Sequence, residues 1–433
     1  MSVVNLGLIG AGTVGCGVIK VLNENKEIIE KRAGIRLQIK KIADIDPDRK
    51  RPVEIPKSLF TTDASEIIED ESIPIVIELI GGTTIAKDFI LAAIKKGKNV
   101  VTANKALLAH HGKEIFSAAA ENEVDIGFEA SVGGGIPIIR ATKEGYVANR
   151  ILSIHGIING TCNYILSRMT EEGREFNEVL LQAQKEGYAE SDPSFDIDGI
   201  DSAHKLSILI MLSSGIFLDL EKIHIEGIRR ITPLDISFAD EFGYKIKLLA
   251  IAKSRQDAIE ARVHPTLVEK GTPLADVSGA FNAIYVVGDA VGPTMLYGMG
   301  AGMMPTASAV VSDIVQIAKN ITLDNYHSSL PRLYQEVNSS SLISMNEITT
   351  SYYLRFQVED RPGVLGQIAG SLGKNNISIE SVIQKGRHFE GGDVSVVIMS
   401  HEAKERDLLS ALQEIDSSSY VKSKSVFIRI EEL

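Results

Sequence analysis

Hydrophobic and polar positions along this chain switch between two periods. Residues 3–9 (VVNLGLI) form a short apolar run that predicts a buried strand, and VGCGVIKVL after it carries apolar residues at helical spacing. LQIKKIAD, IPIVIELIGG and NVVTA predict further strands, with the helix IAKDFILAAIKKG between the last two. Strands alternating with helices imply a parallel sheet covered on both faces. From about residue 130 the texture changes. A glycine-rich turn, SVGGGIP, precedes an apolar helix start, and then strand ILSIHGIING meets helix TCNYILSRM. FNAIYVVGDAVGPTMLYGMGAG reads as strands joined by glycine turns, and MPTASAVVSDIVQIAKN as an apolar helix whose small residues suit close packing. The pattern thins to polar, Ser/Thr-rich residues around 338–351, which predicts a linker. Beyond it, YYLRFQVED, RPGVLGQIAGSLGKNN, ISIESVIQKG, DVSVVIMSHE, EAKERDLLSALQEI and VKSKSVFIRI spell a βαββαβ unit.

Composition narrows the possibilities. At 433 residues, with 44% hydrophobic and 24% charged, the chain has room for two or three soluble domains. A net charge of -12 argues against nucleic acid as a partner. Two cysteines, Cys16 and Cys162, cannot build a disulfide framework, and the start MSVVNLGLIG lacks the basic residues of a secretory signal. Both features fit a reducing cytoplasm. No apolar run approaches the ~20 residues needed to cross a bilayer.

Two regions carry candidate chemistry. Gly10, Gly12 and Gly15, with Thr13 and Val14 between them, follow the first strand in the spacing G-x-G-x-x-G and open a helix. That context suits a dinucleotide: the glycines allow a tight turn and close backbone approach to pyrophosphate, and the helix N-terminus favours phosphate. Asp44, after the second strand, is placed to hold the adenosine ribose and leans the cofactor slightly to NAD, although it lies further from the glycines than the usual ~20 residues. Arg49, Lys50 and Arg51 offer a contact for a 2'-phosphate, so NADP stays open. Beyond the C-terminal strand ends, where ligands sit in such sheets, fall Gly81, Gly82, Asn104 and Lys105.

The second region is ESDPSFDIDGIDSAHK, residues 190–205, with five carboxylates (Glu190, Asp192, Asp196, Asp198, Asp201) ahead of one lysine. Asp201 and Lys205 stand four apart in a predicted helix and so share a face. Read alone, the pair is an ordinary surface ion pair. The apolar residues after Lys205 bury the helix, however, and a partly desolvated lysine in its first turn suits proton exchange. A calcium loop fails here, because Ile197 occupies the turn-glycine position and Ala203 that of the closing glutamate.

Taken jointly, six motifs resemble homoserine dehydrogenase over the whole chain: GAGTVG (10–15), VTANKALL (101–108), FEASVGGGIPII (128–139), NGTCNYIL (159–166), GYAESDPSFDIDGIDSAHKL (187–206) and GAGMMPTASAVVSDI (300–314). The tail is similar to an ACT domain, an amino-acid-sensing module. The resemblance implies an α/β chain with a Rossmann-type NAD(P)-binding domain at 1–130 and an α+β catalytic and dimerisation domain at 131–340, whose helix 302–319 packs back on the first. A linker at 341–351 and an ACT regulatory domain at 352–433 follow. It implies reversible reduction of L-aspartate 4-semialdehyde to L-homoserine in threonine, methionine and isoleucine biosynthesis, in a dimer or tetramer with threonine as effector. Lys205, Asp201 and Lys105 would be catalytic; Glu190, Asp201, Lys105 and Asp196 would bind substrate. Gly10, Gly12, Thr13, Val14, Gly15, Asp44, Thr102, Ala103, Lys105, Gly187 and Gly302 would hold the cofactor. Glu129, with the carbonyls of Val132, Gly134 and Ile136, would hold a monovalent cation, most simply Na+, since one carboxylate with three carbonyl oxygens suits a weakly held hard ion. Asp44 departs from the basic residue that many members carry. Two rival readings are a thioester aldehyde dehydrogenase working through Cys162, at a helix start that would lower its pKa, and a non-catalytic amino-acid sensor.

Overall fold

Val4, Leu6, Leu8 and Ile9 are almost wholly buried on the first strand, β1 (Ser2–Ile9), where the sheet is covered on both faces, while Val3 at its start stays exposed. The computed structural model describes residues 2–255, 258–323, 341–385 and 392–433. It divides into two units, one of residues 1–158, 201–222 and 281–339, the other of 159–200, 223–280 and 340–433.

In the first unit β1 is joined by β2 (Ile35–Ala43), β3 (Phe60–Thr61), β4 (Ile75–Glu78), β5 (Asn99–Thr102) and β6 (Ile126–Gly127). Every pair is parallel and the order is β3-β2-β1-β4-β5-β6. This is the doubly wound dinucleotide arrangement, whose ligand crevice lies where the order reverses, beside β1. Helix α1 (Thr13–Glu24) follows β1. A short second helix, Lys26–Ala33, ends at Gly34 in the left-handed region (φ 74°) and accounts for the long spacing from the glycines to Asp44. Helix Met303–Thr322 joins the same core, its Val310 and Ile314 packing in one cluster with Val18 and Ile19 of α1. Small residues make the approach close: a Cβ on Gly17 would stand 2.8 Å from the Met303 carbonyl oxygen and 2.9 Å from the Ala307 Cβ. Three antiparallel strands, Ile151–Ile157, Phe281–Gly288 and Gly292–Met299, and the helix Ile200–Ser214, buried from Asp201 to Leu212, complete this unit.

In the second unit Tyr244–Arg255 pairs antiparallel with Ala258–Glu269. Beyond them the strands run Val421–Glu431, Tyr352–Glu359, Asp393–Ser400 and Ile379–Lys385. The last four form, with helices Val364–Lys374 and Glu405–Asp416, the expected βαββαβ unit, its core built from Tyr352, Phe356, Ile368, Leu372, Leu408 and Ile415.

The βαββαβ unit expected from 352 pairs with the sheet before it inside the second unit, where Thr266–Val268 run parallel to Arg429–Glu431. The stretch expected as a linker, where it is described, is built into the fold: Ser341–Leu342 pair with Ala258–Ile259, and Thr349–Thr350 with Ala403–Lys404. Its Ser/Thr-rich pattern suggests slack, but its backbone completes two ladders, and side-chain patterning does not report that.

Candidate active site

The glycine turn between β1 and α1 has the shape a dinucleotide needs. Gly10 adopts φ 100°, and a Cβ there would lie 2.8 Å from the Leu79 carbonyl carbon; one on Gly15 would lie 2.2 Å from the Gly10 oxygen. A Cβ on Gly12 would meet nothing within 4 Å, so the space above the turn is open where pyrophosphate would sit. Val14 is half-buried and Thr13 exposed beside it. The residues present therefore fit the group. At the foot of the turn the Cys16 thiol is buried and donates to the Ala11 carbonyl.

Asp44 lies directly after β2, but its oxygens face its own chain. Oδ2 accepts the Ala11 amide at 2.9 Å and Oδ1 the Asp46 amide at 3.0 Å, while Arg51 approaches Oδ2 at 3.2 Å and Arg49 at 3.9 Å. Burial works against ionisation, yet these amides and Arg51 hold the carboxyl below its usual range. Both arginines also donate to the Ala11 carbonyl, which brings positive charge to this corner.

Sequence reasoning passed over Glu78, an acid ending an apolar strand. Fully buried, it accepts the Ile80 and Gly81 amides on Oε1 and the Thr102 hydroxyl on Oε2 at 2.7 Å. Thr102 thus turns its side chain inward, and its oxygen also accepts the Asn104 amide. Asn104 caps the helix Lys105–Glu121 by accepting the Leu107 amide and donates to the Gly82 carbonyl. Together these bonds fix Ala103 and Lys105 at the end of β5.

Lys105, Asp201 and Lys205 come together. Lys205 Nζ donates to Asp201 Oδ2 at 2.7 Å and to the Ile158 carbonyl at 2.7 Å; Lys105 Nζ stands 2.7 Å from Asp201 Oδ1. Burial alone would raise the Asp201 pKa, but two ammonium groups outweigh it and hold the carboxyl well below the usual range. Lys105 is about a third exposed, and Lys205 is buried. The Ile158 carbonyl and His204, whose ring meets His110 edge-on at 5.1 Å, carried no signal in the sequence.

The remaining predicted substrate residues belong to the second unit. Glu190 is exposed, and its carbonyl accepts from Gln184. Asp196 is half-buried and shapes the loop: Oδ1 accepts from Asn159 at 2.8 Å and Oδ2 from Thr161 at 3.3 Å. The Cys162 thiol, fully buried, donates to the Asp196 carbonyl at 3.2 Å, facing into the loop rather than outward as a nucleophile would. Gly187, exposed at φ 81°, closes the turn after the helix Phe176–Lys185. In the first unit Gly302 takes φ 116° at the start of the helix Met303–Thr322.

Glu129 is buried, its two oxygens accepting the Ile139 and Arg140 amides at 2.8 and 2.9 Å. Burial and the neighbouring charge of Asp313 push it up to about 7; burial likewise pushes Asp313 to about 6. Both line a cavity of about 490 Å³ with Arg140 and Lys143. Gly133 and Gly134 adopt positive φ in the turn carrying Val132, Gly134 and Ile136, and the Ile136 carbonyl accepts the Ile138 amide. Among the described residues no group of three or more His, Cys, Asp or Glu side chains forms a metal cluster. One carboxylate with carbonyls does not count as such a cluster, and a cation there would offset the crowding of Glu129 by Asp313. In the second unit residues 360–363 lead into helix Val364–Lys374, with Gly363 taking φ 91° at its start.

Comparison with known proteins identifies the family. Family models described as homoserine dehydrogenase, NAD binding domain and as homoserine dehydrogenase match residues 10–129 and 137–315, and an ACT domain model matches 352–418. The homoserine dehydrogenase of Neisseria gonorrhoeae is 45% identical over 100% of both chains. A crystal structure of a homoserine dehydrogenase from Thiobacillus denitrificans is 43% identical, with TM-score 0.93, covering 100% of this chain and 99% of the other. A hyperthermophilic archaeal homoserine dehydrogenase, solved in complex with NADPH, is 26% identical with TM-score 0.62, covering 75% of this chain and 100% of its own. With both homoserine dehydrogenase models matched, an ACT model after them and a relative 45% identical over the whole chain, this protein belongs to the homoserine dehydrogenase family.

Proposed function

We propose that Lys205 exchanges the proton with the substrate oxygen, oriented by Asp201 and assisted by Lys105, in the reversible reduction of L-aspartate 4-semialdehyde to L-homoserine. One observation carries the reading: a single buried carboxylate holds both lysine amino groups at 2.7 Å. Bound nicotinamide dinucleotide supplies the hydride for reduction and accepts it in the reverse direction. Lys205 then gives a proton to the oxygen that becomes alkoxide, and the positive charge of Lys105 stabilises that oxygen as it develops. Asp201 fixes the Lys205 amino group so that no reorganisation is needed at the moment of transfer. Glu190, exposed on the loop, suits the substrate ammonium, and Asp196 shapes that loop through Asn159 and Thr161.

Gly10, Gly12, Gly15, Thr13 and Val14 would hold the pyrophosphate, with Thr102, Ala103, Lys105, Gly187 and Gly302 serving the rest of the cofactor. For the choice of cofactor, the committed oxygens of Asp44 and the guanidinium groups of Arg49 and Arg51 support acceptance of a 2'-phosphate alongside NAD. The NADPH complex of the archaeal relative points the same way. A sodium ion held by Glu129 and the carbonyls of Val132, Gly134 and Ile136 would relieve the like charge of Asp313. Threonine at the 360–365 loop as feedback effector, a dimer or tetramer, a place in threonine, methionine and isoleucine biosynthesis, and a cytoplasmic setting complete the reading. The last is supported by two buried thiols outside any disulfide, and no helix among the described residues is long and apolar enough to cross a membrane.

The test is absorbance at the nicotinamide band with homoserine and each oxidised cofactor, with and without threonine. Reduction of both cofactors, slowed by threonine, is expected. No reduction with either one removes the enzymatic reading, and a rate indifferent to threonine removes that effector.

A further inference from the structure

Within the second unit, a buried arginine joins the C-terminal βαββαβ unit to the turn that ends the acidic loop. Arg429, on the strand Val421–Glu431, is 2% exposed and clamped between two carboxylates. Glu405 takes its Nε at 2.6 Å and its Nη2 at 2.7 Å; Glu226 takes Nη2 at 3.0 Å and Nη1 at 3.2 Å. His224 Nε2 donates at 2.8 Å to Glu226 Oε1, the oxygen that also takes Nη2. Burial opposes ionisation of Glu226, yet His224 and Arg429 hold its carboxyl well below the usual range. Glu226 therefore remains an anion, as a bidentate grip requires.

The residue after Glu226 has no slack. A Cβ on Gly227 would stand 2.2 Å from the Ile197 carbonyl oxygen and 2.5 Å from the Asp198 Cα, and the Ile228 amide donates to that same Ile197 oxygen at 2.9 Å. From the other side, a Cβ on Gly199 would meet Ile225 at 3.1 Å. Two backbones in direct contact move together, since a packed interface shifts between discrete arrangements rather than deforming smoothly. Residues 194–199 lead directly into the helix that carries Asp201 and Lys205.

We propose that Arg429 and Glu226 are positioning residues for the amino-acid substrate, a latch by which the C-terminal unit sets the turn 194–199 through Gly227. This rests on the reading that the 187–201 loop holds the substrate. A displacement of the strand Val421–Glu431 pulls on Glu226 through a two-pronged charged pair whose arginine is buried and whose carboxylate is half-buried, and Gly227 passes it to Ile197 without an intervening side chain. The contact tunes homoserine affinity and leaves the nucleotide turn untouched.

The experiment uses the full-length protein carrying Glu226→Gln, with initial-rate kinetics and hydrogen–deuterium exchange by segment. The expected result is a homoserine KM raised ~5-fold or more, with a cofactor KM within about 2-fold, as coupling changes along such a path commonly allow. Deuterium uptake rises at 194–199 and stays level in the nucleotide-binding sheet. Arg429→Lys, which keeps the buried charge but loses the two-pronged grip, moves the same readouts in the same direction and serves if Glu226→Gln folds poorly. A homoserine KM within about 2-fold of native, or uptake rising evenly over the whole chain, overturns the latch. Glu190→Gln, run in parallel, separates the two ideas. If it leaves the homoserine KM unaltered, the substrate reading of the loop fails, and the latch is then judged by uptake at 194–199, where no change sinks it.

Discussion

Asp201 spends one carboxylate on two cations, and that economy makes the site sensitive to single substitutions. Lys205→Ala removes the proposed proton donor and should lower kcat by a factor of ~100 or more, the usual range for a positioned acid–base group, with the cofactor Kd nearly unchanged. Turnover at the native rate would exclude Lys205 from the chemistry. His204, one residue before it, titrates differently. Burial, and then the His110 ring beside it, push His204 from its ordinary 6.5 down to about 4. Between those values the unfolded chain takes a proton that the folded chain refuses, so the stability present above pH 6.5 is lost as pH falls toward 4, by at most about 3 kcal/mol. Melting curves of His204→Gln should therefore decline less than native between pH 6.5 and 4.5; parallel declines would assign the effect elsewhere. The Asp201–Lys205 pairing was readable because four-residue spacing on a helix is a local rule. The Lys105 contact and the Ile158 carbonyl were not, since they depend on how a strand end and a helix start meet in space.

Elements were legible in proportion to their burial. The β1–glycine–α1 stretch announces itself because its apolar run, its turn chemistry and its helix all agree, whereas the helix Lys26–Ala33 buries no residue and so leaves no stripe to read. That unread helix is why Asp44 lies far from the glycines in sequence and yet directly follows β2. The packing of the helix Met303–Thr322 against α1 could be anticipated from its small residues, but its partner, Gly17, is visible only in three dimensions. Gly17→Ala should cost about 1–3 kcal/mol, the usual range for an overpacked contact, and appear as a lower Tm. An unchanged Tm would mean that the two helices separate freely. The 341–351 stretch carries the opposite lesson: a Ser/Thr-rich pattern suggested slack, while its backbone is bonded into two ladders and its Ile348 is buried.

At the scale of the whole molecule, ionic contacts join segments that the sequence keeps far apart. Glu226 and Arg429 are 203 residues distant along the chain. Arg262 similarly bridges Glu260 at 2.6 Å and Glu431 at 2.8 Å, and Arg355 pairs with Asp235, the residue that closes the capping box of helix Pro233–Glu241. Cutting the chain after residue 350 would leave Arg262 without Glu431 and Asp235 without Arg355, and would strip Thr266–Val268 of their partner strand. Arg262 keeps Glu260, but Asp235, fully buried, would lose its cation at a cost of roughly 3–5 kcal/mol, so the truncated protein should aggregate or melt well below the full chain instead of behaving as an unregulated enzyme. A soluble truncation with native Tm would contradict this account.

The seating of Met303–Thr322 beside α1 also has a temporal side. The ribosome delivers the first half of that contact with residues 13–24 and the second only with residues 303–322. At roughly 5–20 residues per second, the nascent nucleotide-binding sheet waits on the order of 15–60 s with an apolar flank uncovered. During that interval the flank that Met303–Thr322 later covers lies open to solvent, and a nucleotide captured early would speed maturation only if the half-built turn already grips it.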